Sequence, residues 1–245
     1  MKFTITTGGH AGDILCMMSA AHTFARLTGH EVYLEQFKDV VECYDDGLLK
    51  HGKQGISISL DVGCYHRLKT GEEFKNYLGT FLKPLLPNLP LPTDFEFPAF
   101  APLPRRCLIQ PFSRTAANPS LEHVQAIVDC FSEETGEQLF AIGHPATERN
   151  LVGVDYSLLK EGIPDLMANI SSAACVLTPR SASAHISAGY RVPTFLWLPD
   201  DGENWHLDYR CWSSVKCLFR DGISAARERM VEFCKPVRFQ KYLTE

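Results

Sequence analysis

Residues 3–15 decide the reading of the fold: Phe3-Thr4-Ile5-Thr6-Thr7, then Gly8-Gly9-His10-Ala11-Gly12-Asp13, then Ile14-Leu15. The first group alternates β-branched and aromatic residues, which reads as a strand. The glycines read as a turn. Ile14 to Leu27 is rich in Ala, Met and Leu and reads as a helix that Gly29 stops. Strand, glycine turn and helix follow one another as they do in a parallel α/β sheet.

The alternation continues outward. Glu31-Val32-Tyr33-Leu34 reads as a second strand, Phe37 to Leu49 as a helix, Ile56 to Leu60 as a third strand and Glu72 to Leu82 as a further helix. Composition then changes, with eight prolines in the 28 residues from Pro84 to Pro111. Proline lacks the backbone donor and keeps the preceding residue out of the helical region, so neither a long helix nor a central strand fits here. This stretch reads as a connector ending near Pro104. Strands and helices then resume: Cys107 to Gln110, a helix over Ser120 to Glu134 with Ser120 as N-cap, Gln138 to Ile142, a helix over Pro164 to Ser172, Ala174 to Thr178, a short helix over Ala184 to Tyr190, Pro193 to Leu198 and a last helix over Ile223 to Cys234. The expected architecture is α/β, with one half over 1–100 and a second over 105–245.

The chain has 245 residues, 45% of them apolar and 22% charged, an ordinary globular composition. No apolar run approaches the roughly 20 residues that span a bilayer, so no membrane span is expected. Met1 leads straight into Lys2-Phe3-Thr4-Ile5-Thr6 and glycines, without the apolar core and cleavage site of a signal peptide. A cytoplasmic location is the expectation. The net charge is −5 and no basic run exceeds Arg105-Arg106, so no strong nucleic-acid patch is expected. The nine cysteines include no Cys-x-x-Cys pair, and several sit in apolar strand-like runs, as Cys107 and Cys175 do. They read as reduced, buried small hydrophobes. His206, Cys211 and Cys217 lack a usual zinc spacing, and no metal site is expected.

In open α/β sheets ligands lie beyond the carboxyl ends of the strands. That singles out the loops at 8–13, 111–119, 143–149 and 179–184. The first holds Gly8, Gly9 and Gly12, which let a ligand approach the backbone, and Asp13 at the start of a helix. Asp13 can cap that helix or serve as a base. The dinucleotide fingerprint and the phosphate loop both fail here, since Thr7 stands where the fingerprint needs its first glycine and no Gly-Lys-Ser/Thr follows. The second loop pairs Ser113 with Arg114, which can hold a phosphate. The last, Thr178-Pro179-Arg180-Ser181-Ala182-Ser183-Ala184-His185, sets Arg180, Ser181 and His185 among small residues between a strand and a helix.

These stretches resemble the glycosyltransferase family 9-like group that contains the lipopolysaccharide heptosyltransferases. Its carboxyl-terminal signature, Asp-Ser-Gly-x-x-His-x-Ala-Ala followed by a proline, is similar to Arg180-Ser181-Ala182-Ser183-Ala184-His185-Ile186-Ser187-Ala188 and Pro193. Gln110-Pro111-Phe112-Ser113 is similar to its Pro-Gly-Ala-Ser loop. Gly12-Asp13-Ile14-Leu15 matches its Gly-Asp-x-x. The resemblance implies a GT-B-like architecture of two Rossmann-like halves facing a cleft. It implies metal-independent transfer of a sugar from a nucleotide-diphosphate sugar to an acceptor hydroxyl, with Asp13 as general base. Ser113, Arg114, Arg180, Ser181 and His185 would line the donor diphosphate site, and Asp165 would meet the donor nucleoside. The acceptor stays open among glycans, small molecules and modified nucleobases. Arg180 departs from the family's acid, and Ala182 from its glycine.

Two alternatives stand beside this. Thr7-Gly8-x-x-x-Gly12 with Tyr156-x-x-x-Lys160 resembles a short-chain dehydrogenase using NAD(P). A non-catalytic nucleotide-binding module is the other, motivated by Arg180 and Ala182.

Overall fold

Lys2–Thr6 forms strand β1 and Ala11–Thr28 helix α1. The computed structural model describes residues 1–60, 86, 88, 95–114, 117–145, 150–160, 162–200 and 213–241. The helix expected over 72–82, part of the connector, His206 and Cys211 lie outside them. After α1 come β2 (Glu31–Leu34), the single turn α2 (Lys38–Val41), β3 (Leu49–His51) and β4 (Ile56–Ser59). They form one sheet in the order β3-β2-β1-β4, with all pairs parallel. Helix α1 is buried from Leu15 to Ala25, so apolar residues all around it are at home. Gly29 ends it in the left-handed conformation, its N–H donating to Ala25 O at 2.9 Å.

The long helix expected over Phe37 to Leu49 is not there. Phe37 is itself left-handed at φ 47°, and only one turn follows. Asp46 Oδ1 accepts from the Leu48 N–H at 3.0 Å and Gly47 takes φ 69°, which bends the chain into β3. Local hydrogen bonding by an aspartate beside a glycine outcompeted the helix.

A charged cluster holds the end of the connector on α1. His22 is buried, with Nδ1 2.6 Å from Glu96 and Nε2 2.5 Å from Asp46. Arg26 also bonds Glu96, and Ser19 Oγ accepts the Glu96 N–H at 2.7 Å. Burial alone would raise the Glu96 pKa. Hydrogen bonds from Arg26 and His22 outweigh it and hold the carboxyl below its ordinary value.

From Cys107 a second sheet begins. Its elements are β5 (Cys107–Ile109), α3 (Leu121–Thr135), β6 (Leu139–Ala141), β7 (Val154–Asp155), α4 (Ile163–Ser171), β8 (Cys175–Pro179), α5 (Ala182–Gly189), β9 (Thr194–Leu198), β10 (Ser214–Leu218) and α6 (Gly222–Lys241). All six strands are parallel, in the order β10-β9-β8-β5-β6-β7. Strands β8 and β9 are buried throughout, as strands covered on both faces must be. The order reverses between β5 and β8, which is a topological switch point. Phe131, Phe195, Trp197, Met230 and Phe233 fill the core under α3 and α6. Ser120 caps α3 by accepting the His123 N–H at 3.2 Å.

Among the described residues the chain divides into two compact units. One comprises Met1–Phe100 with Ala188–Tyr190, the other the remainder. Seven described cysteines are free and six of them are buried. No helix among the described residues is long and apolar enough to cross a membrane.

Candidate functional site

The first unit presents the glycine turn at the carboxyl end of β1. Thr7 is buried, and the Gln36 side-chain amide takes both of its main-chain groups. Gly8 is exposed, with open space where a Cβ would stand. Gly9 takes φ 138°, which side chains rarely tolerate, so this position needs glycine. Helix α1 begins at Ala11. Gly12 and Asp13 therefore lie in its first turn, and only Gly8 and Gly9 belong to the turn before it. Asp13 is half-buried and its Oδ2 accepts the His10 N–H at 2.7 Å. Helix capping is thus a role the structure shows for Asp13.

In the second unit three loops leave adjacent strand ends. After β5, Gln110, Phe112 and Ser113 are buried while Arg114 is exposed. Asn118 clamps Ser113, accepting its N–H at 2.6 Å and donating to its carbonyl at 2.8 Å. After β8, Arg180 and Ser181 are half-buried and lead directly into α5. His185 is 5% exposed on that helix. After β6, Gly143 turns at φ 102°.

Gln110 joins these loops. Its Oε1 lies 3.0 Å from Ser181 Oγ and 2.5 Å from Ser183 Oγ, and its Nε2 lies 3.1 Å from Phe112 O. A Cβ on Gly143 would stand 3.4 Å from Gln110 Cγ. Gly143 O in turn accepts the Lys160 N–H at 3.2 Å, and Lys160 Nζ lies 3.5 Å from exposed Asp165 at the start of α4. Asp165 is therefore linked, through Lys160 and Gly143, to the same strand ends as Ser113 and Ser181. All six residues expected in the second unit stand at or near this edge, which carries the cations Arg114, Arg180 and Lys160.

The residues missed are the side-chain amides Gln36, Gln110 and Asn118, and Lys160 was singled out only for the dehydrogenase pair. One signal was available. Gln110 closes an apolar run between Ile109 and Pro111, and a polar side chain buried there must find partners.

Tyr156 and Lys160 do not form a helical pair. They lie in irregular chain between β7 and α4. Tyr156 OH accepts the Leu151 N–H at 3.0 Å, and Lys160 pairs with Asp165. Residues four apart face each other only on a helix, so the dehydrogenase arrangement is missing.

No family model matches the chain, and no curated protein matches it in sequence. Solved structures do match. A glycosyl transferase family 9 protein from Veillonella parvula aligns over 98% of this chain and 97% of its own, with TM-score 0.69 and 9% identity. The E. coli heptosyltransferase WaaC with ADP aligns over 95% and 99%, with TM-score 0.62 and 10% identity. The E. coli ADP-heptose lps heptosyltransferase II aligns over 99% and 100%, with TM-score 0.59 and 11% identity. The chain has a GT-B-like fold. Its two parallel sheets, each flanked by helices, are the Rossmann-like halves of that fold, and it resembles these heptosyltransferases in architecture at very low identity.

Proposed function

We propose that this protein is a glycosyltransferase that moves a sugar from a nucleotide-diphosphate sugar to an acceptor hydroxyl without a metal ion. The observation that carries the reading is the edge of the second sheet. Two arginines and the start of α5 stand there at a switch point, on a fold shared with a heptosyltransferase solved with ADP. Switch points receive nucleotides, and helix N-termini with arginines receive phosphates.

In this reading the acceptor oxygen attacks the anomeric carbon. The bond from that carbon to the diphosphate breaks, and the nucleoside diphosphate leaves with the electron pair. Arg114 and Arg180 offset its charge, the role a metal would otherwise take. Ser113 and Ser181 border the diphosphate, His185 supports it from α5, and Asp165 meets the nucleoside. Asp13 accepts the acceptor's proton as general base. Its bond from the His10 N–H holds the carboxylate in one orientation, which suits a base as well as a cap. The first unit is the acceptor side, and the acceptor is a glycan, a small molecule or a modified nucleobase.

A panel of nucleotide sugars assayed for release of nucleoside diphosphate tests this reading, and release from none of them in the presence of varied acceptors counts against it. Arg180 in place of the family's acid and Ala182 in place of its glycine favour a second reading, a binding module without turnover. It expects nucleoside diphosphate to bind with no release from any sugar nucleotide.

A further inference from the structure

Gln110 is nine-tenths buried, and the orientation of its side-chain amide follows from its partners. The Phe112 carbonyl can only accept, so Nε2 must face it and donate. Oε1 then faces Ser181 and Ser183 and can only accept: Ser183 donates to it, while the Ser181 hydroxyl has both Oε1 and, at 2.9 Å, Thr178 Oγ1 within reach. Each serine has one hydroxyl proton. The Ser183 proton is committed to Gln110 and the Ser181 proton has acceptors in Gln110 and Thr178, so both hydroxyls find partners inside the protein. The Gln110 main chain is pinned too, its N–H donating to Leu177 O at 2.9 Å. One amide thus fixes the loop that carries Arg114 relative to the helix start that follows Arg180.

We propose that Gln110 is the positioning residue of the phosphate site. It touches no ligand, and it sets the spacing of the two loops that would receive the diphosphate. This rests on the donor-site reading above. It adds that Ser181 serves that site through its main chain, with its hydroxyl acting as a strut. Buried amides make directional bonds in a low-dielectric setting, so such a strut resists displacement. A phosphate contact that is displaced loses its charge-assisted bond, at a cost of roughly tenfold or more in affinity.

The test is titration calorimetry of ADP, GDP, UDP and CDP into wild type, Gln110→Met and Gln110→Met/Ser183→Ala, with melting temperature measured on each. Methionine keeps length and bulk and removes all three side-chain bonds. The dissociation constant of the diphosphate that wild type binds should rise about tenfold or more in Gln110→Met. The double variant removes a stranded hydroxyl, so its melting temperature should recover while its affinity does not. Unchanged affinity in Gln110→Met overturns the proposal, as does affinity that returns together with melting temperature. If Gln110→Met fails to fold, Ser183→Ala cuts one arm of the bridge. It should weaken binding about threefold, and wild-type affinity there overturns the proposal. Failure of the donor-site reading looks different: wild type itself then binds none of the four diphosphates.

Discussion

Asp13→Asn separates the two roles of Asp13. The asparagine side-chain oxygen can still accept the His10 N–H, now 2.7 Å from Asp13 Oδ2, so the cap geometry survives. What is lost is the carboxylate charge near the helix N-terminus, about 0.3–1 kcal/mol. For a chain of this size that lowers the melting temperature by roughly 1–4 °C. A base that can no longer take a proton costs far more, about 10²–10⁴-fold in transfer rate. Donor affinity should barely move, because the donor is assigned to the other unit. The assay follows nucleoside diphosphate release with donor and acceptor present, beside calorimetry of the nucleotide and a melting curve. Near-normal turnover in a stable Asp13→Asn variant would refute the base assignment and leave Asp13 as a cap, and Asp13→Ala would then cost only about 0.5–2 kcal/mol of stability.

Arg114→Ala and Arg180→Ala should each weaken nucleoside diphosphate binding by roughly tenfold or more, since a charge-assisted contact is worth about 1.5–3 kcal/mol. Unchanged calorimetric affinity in both would remove them from the site. Gly9→Ala should destabilise by about 1–3 kcal/mol because its φ of 138° suits only glycine, whereas Gly8→Ala should melt like wild type because a Cβ there meets open space. Equal melting of the two variants would contradict the geometry of the turn. The Glu96 pKa is depressed in the folded state, so its stabilisation is complete above the ordinary 4.5 and is lost as pH falls below it. Melting temperatures of wild type and Glu96→Gln should differ at neutral pH and converge in acid, and a constant gap would rule out Glu96 as the source.

Much of the fold was legible because parallel strands are continuous apolar runs and their helices stop at glycine. The runs Cys107 to Gln110 and Ala174 to Thr178 and the end of α1 at Gly29 read this way, and they correspond to β5, β8 and the observed end of α1. Three strands were not legible. β7 has two residues, β10 is a half-buried edge strand of mixed composition, and β3 has three, of which Leu49 closed the stretch read as a helix and Lys50 and His51 are exposed. Strand order could not be read either, since reversal at β5 and β8 depends on pairing between residues far apart in the chain, Cys107 with Cys175. Of the candidate site, the local features were legible: the glycine turn at 8 and 9 and the loops after β5 and β8 that carry Arg114 and Arg180. The amides were not, because Gln36 reaches back 29 residues to Thr7, and Ser183 lies 73 residues beyond Gln110.

The central claim is that a nucleoside diphosphate binds the second unit at the carboxyl ends of β5 and β8. A thermal-shift panel of ADP, GDP, UDP and CDP against NAD and NADP on the wild-type protein tests it most directly. At least one diphosphate should raise the melting temperature, and neither dinucleotide should do so. Stabilisation by NAD or NADP with no response to any diphosphate would contradict it.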